Sequence, residues 1–298
     1  MTVISRHLDL PDTDRLAVHR LAAMAHRSDG VHPLNEAAQL ALAGQGTARV
    51  VHWLATVADP VAGLVGYAQL DLRDRSVQLV VAPDQRRRGI GRALAERITG
   101  TDQPLSWWAF GDLPGARALA SALGLAVVRG LLVMRLDLSR SALAAAIPMP
   151  DGFVLDHYRS SDLARLVAVN AAAFATHPEQ GILTAADFEA RMNEPWYRNT
   201  DLLVARDART QELVGYHWTK VEGGEGEVYV IGIDPGLNGR GLGRALLEAG
   251  IIHMQNRGAS IIDLYVEAAN ERVVGIYRAA GFEVIHVDVS YGHVKEDW

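Results

Sequence analysis

The sequence predicts an α/β fold built twice: two tandem domains, each a mixed twisted sheet flanked by helices. Two observations carry this. First, "RRRGIGRALAERI" at 86–98 and "NGRGLGRALLEAG" at 238–250 are near copies, each a glycine loop running into an amphipathic segment. Second, three further landmarks repeat in the same order. "LVGYAQL" (64–70) answers "LVGYHWT" (213–219), "VQLVVAPD" (77–84) answers "VYVIGIDP" (228–235), and "ASALGLAVV" (120–128) answers "YRAAGFEVI" (277–285). The offset is 152 at the loops (Gly241 minus Gly89), and it drifts only between landmarks, where connecting segments absorb insertions.

The elements follow in the same order in each half, and the second half shows them best. "DLARLVAVNAAAF" (162–174) is helical, and "LLVARD" (202–207), "LVGYHWTKV" (213–221) and "EVYVIGID" (227–234) alternate as strands. After the loop, Leu242, Leu246, Ala249 and Ile252 mark one helix face, as Ile90, Leu94 and Ile98 do in the first half. A strand at 260–268, a helix at 270–280 and a last strand from Phe282 complete the set. "VEGGEGE" (221–227) reads as a glycine-rich turn longer than its first-half counterpart. "LSRSALAAAIPMPDG" (138–152), with two prolines and Pro-Asp-Gly, breaks regular structure. The expected domains are therefore 1–140 and 152–298, joined by a linker over 141–151.

At 298 residues the chain is long enough for two ordinary domains, each burying its own core. With 49% hydrophobic and 21% charged residues it reads as a globular protein. The net charge of −6 offers no basic field for nucleic acid or an anionic membrane, and no apolar stretch is long enough to span a bilayer. The start "MTVISRHLDLPDTD" lacks a signal peptide's apolar core, so the expected location is cytoplasmic and the expected state a monomer. There is no cysteine, which excludes disulfides, thiolate metal sites and a cysteine nucleophile. The same absence suits a protein that handles reactive thiols, since none of its own side chains can form mixed disulfides with them.

A strand feeding a glycine loop that opens a helix is an anion site, because backbone amides converge and the helix N-terminus adds partial positive charge. Arg86, Arg87 and Arg88 in one loop, and Arg240 and Arg244 in the other, add donors for phosphate oxygens. Glycines 239, 241 and 243 give GxGxG rather than the dinucleotide GxGxxG, and the Walker Gly-Lys-Ser/Thr is missing. A tight strand-to-helix turn with no ligand is the competing reading.

Loop, preceding strand and the later "YRAAGF" together resemble the GNAT acetyltransferases, whose signature is Arg/Gln-x-x-Gly-x-Gly/Ala. "RRRGIG" (86–91) matches in full; "NGRGLG" (238–243) has Asn238 at the first place. The resemblance implies acetyl-CoA as cosubstrate and no metal. It places the pantetheine arm on Leu79, Val80 and Val81 and on Ile231, Gly232 and Ile233. It places the pyrophosphate on Arg87, Arg88, Gly89, Ile90, Gly91 and Arg92, and on Asn238, Gly239, Arg240, Gly241, Leu242, Gly243 and Arg244.

Acetyl transfer to an amine needs a base for the ammonium, a donor for the oxyanion and an acid for the leaving thiolate. Glu227 begins the strand leading to the second loop, where a base would meet the amine directly or through water; at an offset of 152 its counterpart is Arg75. Tyr277 lies four residues before Gly281, placed to protonate the thiolate, and its counterpart at 157 is Ala120. Asn270, able to hydrogen-bond the cofactor arm at a helix start, corresponds to Leu113. The plain alternatives are a surface glutamate, a core tyrosine and a helix cap. Their joint replacement in the first half assigns catalysis to the second and leaves the first a CoA-binding, non-catalytic domain or a scaffold.

Longer stretches, "DGVHPLNE" (29–36), "AAFATHPEQG" (172–181), "GYHWTKV" (215–221), "GEVYVIGIDP" (226–235) and "LYVEAANERVVGIYRAAGF" (264–282), resemble the tandem-GNAT mycothiol synthase family of actinobacteria. That resemblance implies acetylation of the cysteinyl amine of cysteinyl-glucosaminyl-inositol (desacetylmycothiol), with Glu36, Glu179, Lys220, Glu227 and Tyr265 contacting it in a pocket between the domains. His177 and His217 read as wall or structural histidines, and "WW" at 107–108 as core. The alternatives are a tandem GNAT enzyme for another amine, such as an aminoglycoside or a protein N-terminus, and a non-catalytic CoA-binding protein.

Overall fold

A computed structural model describes residues 2–44, 49–57, 63–98, 104–140, 147–177 and 180–293. The chain forms two compact units, Met1–Leu131 with Val287–Trp298 and Leu132–His286. Residues 141–146 of the expected linker lie outside the described residues.

The first unit contains β1 (Thr2–His7), α1 (Asp12–Asp29), α2 (Glu36–Leu42), β2 (Val50–Val57), β3 (Leu64–Asp71), β4 (Ser76–Val81), α3 (Ile90–Ile98), β5 (Ser106–Ala109), α4 (Pro114–Ala122) and the start of β6 (Ala126–Asp137). Its sheet runs β1-β2-β3-β4-β5, antiparallel throughout except for the parallel pair β4–β5. Alternation along the strands sorts the two faces: Leu54, Tyr67 and Val80 pack with α1, while Val51, Trp53, Ala68 and Val77 pack with Ile90, Leu94 and Ile98 of α3. Trp107 and Trp108 are buried, as their reading as core expects.

The second unit repeats the plan with β7 (Phe153–His157), α5 (Leu163–Ala173), α6 (Ala185–Met192), β8 (Leu202–Asp207), β9 (Leu213–Glu222), β10 (Glu225–Ile233), α7 (Leu242–Asn256), β11 (Ile261–Glu267), α8 (Glu271–Ala279) and the start of β12 (Glu283–Gly292). The strand order is β7-β8-β9-β10-β11-β6, with β10–β11 the parallel pair. Each unit is thus closed by a strand from the other half. Met134, Leu136 and Leu138 join the second unit's core with Leu264, Val266 and Phe282. Val289, Ser290 and Tyr291 of β12 pair with Ala109, Trp108 and Trp107 of β5.

Three details depart from the sequence reading. Residues 221–227 are not a longer turn: β9 and β10 continue to Glu222 and Glu225, and only Gly223 and Gly224, at φ +58° and +85°, turn between them. The buried stripe of α7 passes through Leu242, Leu246, Leu247, Ile251 and Met254, while Ala249 and Ile252 are half-buried, because α7 serves two core clusters at once. Finally, β10 carries a bulge at Tyr229, since Val228 pairs with Thr219 but Val230 already pairs with Trp218. The matching ladder β3–β4 has no such shift.

Candidate active site

The bulge changes which residues correspond. Val77 pairs with Leu70 and Val228 with Thr219, so before the bulge the offset is 151 (228 minus 77), and after it 152. Glu227 therefore corresponds to Ser76, which like Glu227 sits on the strand itself; Arg75, expected from the offset of 152, lies in the preceding turn at φ +62°. The first unit still holds no carboxylate at this place. Tyr277 corresponds to Ala120 as expected: Phe282 N–H donates to the Tyr277 carbonyl as Leu125 N–H does to that of Ala120.

Glu227 stands where the second sheet opens. It pairs with Lys220 of β9 on one side and Asp263 of β11 on the other. The parallel ladder ends one residue later, at Val228–Leu264, although β10 runs on to Ile233 and β11 to Glu267. Registered neighbours share a face, so Lys220, Glu227 and Asp263 stand together, and period-two alternation adds Tyr265 and Glu267. This is the face on which Tyr216 and Trp218 pack with Phe188 and Leu166 of α6 and α5. The Lys220 ammonium lies 4.8 Å from the Trp196 ring centroid and 3.2 Å from Glu222 Oε2. His177 Nε2 lies 3.7 Å from Glu267 Oε1, and its Nδ1 accepts from Gln180 N–H at 3.0 Å. Tyr265 is half exposed.

The sheet thus brings together Glu227, Lys220 and Tyr265. Glu179 lies outside the described residues. Glu36 opens α2 in the first unit, behind the cap Asn35. Arg135, Asp263, Glu267 and Trp196 were missed by sequence reasoning. The alternation Ile-Asp-Tyr-Glu in 261–267 carried a signal for the two carboxylates; Arg135 and Trp196 had none.

The second glycine loop is built by Asp234, whose Oδ1 accepts from Gly236 N–H at 3.1 Å while Oδ2 accepts from Arg165 of α5 at 2.9 Å. Gly239 and Gly241 then adopt φ +80° and +82°, left-handed values that side chains resist. Gly241 is the N-cap of α7 and makes no side-chain cap, in contrast to Asn35, Thr184 and Asn270 on α2, α6 and α8. The amides of Leu242, Gly243 and Arg244 consequently have no partner within the helix. Exposed Arg240 and Arg244 flank them, with Arg240 also 5.5 Å from the Phe153 ring. An uncapped glycine helix start, two guanidinium groups and a strand, Tyr229–Ile233, that stays paired with β9 but is no longer paired with β11 fit a pyrophosphate with an amide-bearing arm. The first loop repeats the backbone, with Arg87 at φ +64° and Gly89 at +82°, but Arg86 is bidentate to Asp29 at 2.7 and 2.6 Å and so ties the loop to α1.

Tyr277 is buried on α8 against Phe282, ring centroids 5.9 Å apart, in the cluster that includes Val228. Burial pushes its hydroxyl up to about 12, so it is a neutral donor at ordinary pH. Asn270 caps α8 through Oδ1, which accepts from Val273 N–H at 3.3 Å. His217 is structural, with Nδ1 2.9 Å from the Leu246 carbonyl. Among the described residues no group of histidine and acidic side chains is arranged to hold a metal, and no helix is long and apolar enough to cross a membrane.

Fold and site together define a GNAT N-acetyltransferase drawing on acetyl-CoA. Residues 169–282 match the acetyltransferase (GNAT) family. Among solved structures, a tandem GNAT protein from the clavulanic acid biosynthesis pathway superposes with a TM-score of 0.75 at 20% identity over 98% of both chains. A GCN5-related N-acetyltransferase from Sphaerobacter thermophilus does so with 0.68 at 21%, over 97% of this chain and 95% of its own. The mycothiol acetyltransferase of Propionibacterium freudenreichii is 50% identical, covering 97% of this chain and 91% of its own. That of Clavibacter michiganensis is 42% identical over 97% and 94%. The chain belongs to the mycothiol acetyltransferase family.

Proposed function

We propose that this protein moves the acetyl group of acetyl-CoA to the cysteinyl amine of cysteinyl-glucosaminyl-inositol, giving mycothiol, within its second domain. The observation that carries the reading is the position of Glu227, one residue before the β10–β11 ladder ends, on a face that also presents Lys220 and Tyr265. Glu227 takes the proton of the ammonium, directly or through water. The amine nitrogen then attacks the thioester carbon, the carbon–sulfur bond breaks as Tyr277 protonates the departing thiolate, and the second proton shed by the nitrogen restores the Tyr277 hydroxyl through solvent. Lys220 and Tyr265, with Glu179, bond the sugar and inositol hydroxyls. Ile231, Gly232 and Ile233 hold the pantetheine arm, residues 238–244 the pyrophosphate, and Asn270 the arm near α8. Leu79–Val81 and residues 87–92 hold a second CoA that is not turned over. The identity of 50% to a mycothiol acetyltransferase supports the choice of acceptor.

The test compares acceptors by mass spectrometry with acetyl-CoA as donor. Cysteinyl-glucosaminyl-inositol should be acetylated on nitrogen with kcat/KM at least about 100-fold above free cysteine, because remote contacts position the amine. Equal rates, or acetyl found only on sulfur, would overturn the acceptor. Preference for an aminoglycoside or a protein N-terminus would replace it.

A further inference from the structure

Four neighbouring strands of the second unit carry a row of charges across one face. Lys220 of β9 pairs with Glu227 of β10, and Glu227 pairs with Asp263 of β11. Asp263 in turn accepts both donors of Arg135 on β6, Nε at 2.7 Å and an Nη at 2.6 Å. The order is cation, carboxylate, carboxylate, cation. Adjacent strands lie about 4.8 Å apart, so Glu227 and Asp263 are side by side, close enough for the Asp263 charge to be felt at the Glu227 carboxylate.

The first unit supplies an internal comparison. Glu227 and Asp263 correspond to the registered pair Ser76 and Ser106. The ladder Val289–Ala109, Ser290–Trp108, Tyr291–Trp107, continued by one residue, brings Gly292 opposite Ser106, where the second unit has Arg135 opposite Asp263. The half without the carboxylate base also lacks the flanking ion pair. An ion pair that only secured the sheet would be as useful in one copy as in the other.

We infer that Arg135 and Asp263 are positioning residues for the acetyl-transfer base: Asp263 sets how firmly the Glu227 carboxylate holds its proton, and Arg135 holds Asp263 in place and offsets its charge. The inference rests on Glu227 being the base. The arrangement is specific. Bidentate bonding fixes the Asp263 carboxylate in a plane, which a lysine at 135 would not do. Asp263 is half-buried and Arg135 partly exposed, so the pair is weakly screened rather than fully solvated. The other charged or titratable groups on the elements facing Glu227 are Lys220 and Glu222 of β9, Glu225 of β10, Tyr265 and Glu267 of β11, and His177, which lies against Glu267. Arg135 is bidentate to Asp263. Because Arg135 belongs to β6, the first half of the sequence contributes a residue to the chemistry of the second.

The test is the pH profile of kcat/KM in the full-length protein. Arg135→Met leaves the Asp263 charge uncompensated and should move the acid limb upward by about one pH unit. Asp263→Asn removes the neighbouring carboxylate while keeping the Arg135 charge one strand further off, and should move the limb downward by a similar amount. The double variant should return close to the parent, and Arg135→Lys should fall between the parent and Arg135→Met. A purely structural pair would lower kcat in each variant with the limb unmoved, and that result overturns the inference. Glu227→Gln separates the two claims. If that variant turns over normally, the base assignment falls; if it is inactive while the Arg135 and Asp263 limbs stay in place, only the positioning role falls.

Discussion

Gly241 and Gly89 occupy the same left-handed backbone position, φ +82° in each, at the starts of α7 and α3. The duplication has therefore preserved the backbone of the anion loop in both units while altering its side chains. Gly239, at φ +80°, is answered by Arg87 at +64°, a side chain held where roughly 1 kcal/mol of strain is expected. Asn238 is answered by Arg86, engaged with Asp29. Preservation of a strained shape favours retained ligand binding. Calorimetry on the unaltered protein should accordingly show two CoA equivalents. Gly89→Val should remove one and spare turnover, whereas Gly241→Val should abolish turnover. A single equivalent, lost with Gly241→Val, would make the first loop a scaffold.

The Tyr277 hydroxyl, buried and pushed up to about 12, remains protonated across the working range and can donate to a departing thiolate. A donor of this kind contributes to kcat rather than to binding. Tyr277→Phe should lower kcat by roughly 10-fold to 100-fold, with little change in KM for acetyl-CoA, because water can partly replace it. The ring contact with Phe282 survives in this variant, so folding is unaffected. An unchanged kcat would make Tyr277 a packing residue only.

The strand exchange makes the second half dependent on the first. Met134 and Leu136 of β6, and Leu138 directly after it, are at most 7% exposed in the second unit's core. Removing them costs on the order of 2 kcal/mol each, which summed reaches the lower end of a domain's usual margin. A fragment comprising residues 152–298 should therefore lack a cooperative thermal transition, while a fragment beginning before β6, at residue 124, should regain one. Cooperative unfolding of the shorter fragment would show that β6 is dispensable.

Much of the fold was legible because it rests on local pattern. The alternation of 202–207 returned as β8 with the same bounds, and the glycine spacing of 238–243 returned as the loop and helix start. What could not be read depends on pairing between distant segments. The bulge at Tyr229 inserts one residue without a glycine or proline to mark it, and so shifted the counterpart of Glu227 from Ser76 to Arg75. Arg135 meets Asp263 across 128 residues, and Trp196 meets Lys220 from a loop; neither contact has a sequence period. Within the site, residues on strands next to a motif were found, and residues delivered by an exchanged strand were not.

His217 is expected to make the second unit sensitive to acid. Its ring is fully buried between β9 and α7, so close to Gly250 that a Cβ there would lie 2.1 Å from the imidazole. Nδ1 donates to the Leu246 carbonyl at 2.9 Å, while the buried Nε2 has no hydrogen-bond partner, so protonation would place a charge in an apolar site. Burial lowers the group to about 4, from 6.5 in the unfolded chain. The folded value being the lower, the unfolded chain binds the proton first as pH falls. Stability is complete above about 6.5 and declines toward 4, with a loss on the order of 2 kcal/mol already at pH 5. His52 in the first unit, also lowered to about 4 by burial, acts in the same direction. Urea midpoints at pH 7 and pH 5 should differ clearly in the parent protein, and His217→Leu should shrink the difference for the second unit. An undiminished difference in that variant would assign the acid sensitivity to other groups.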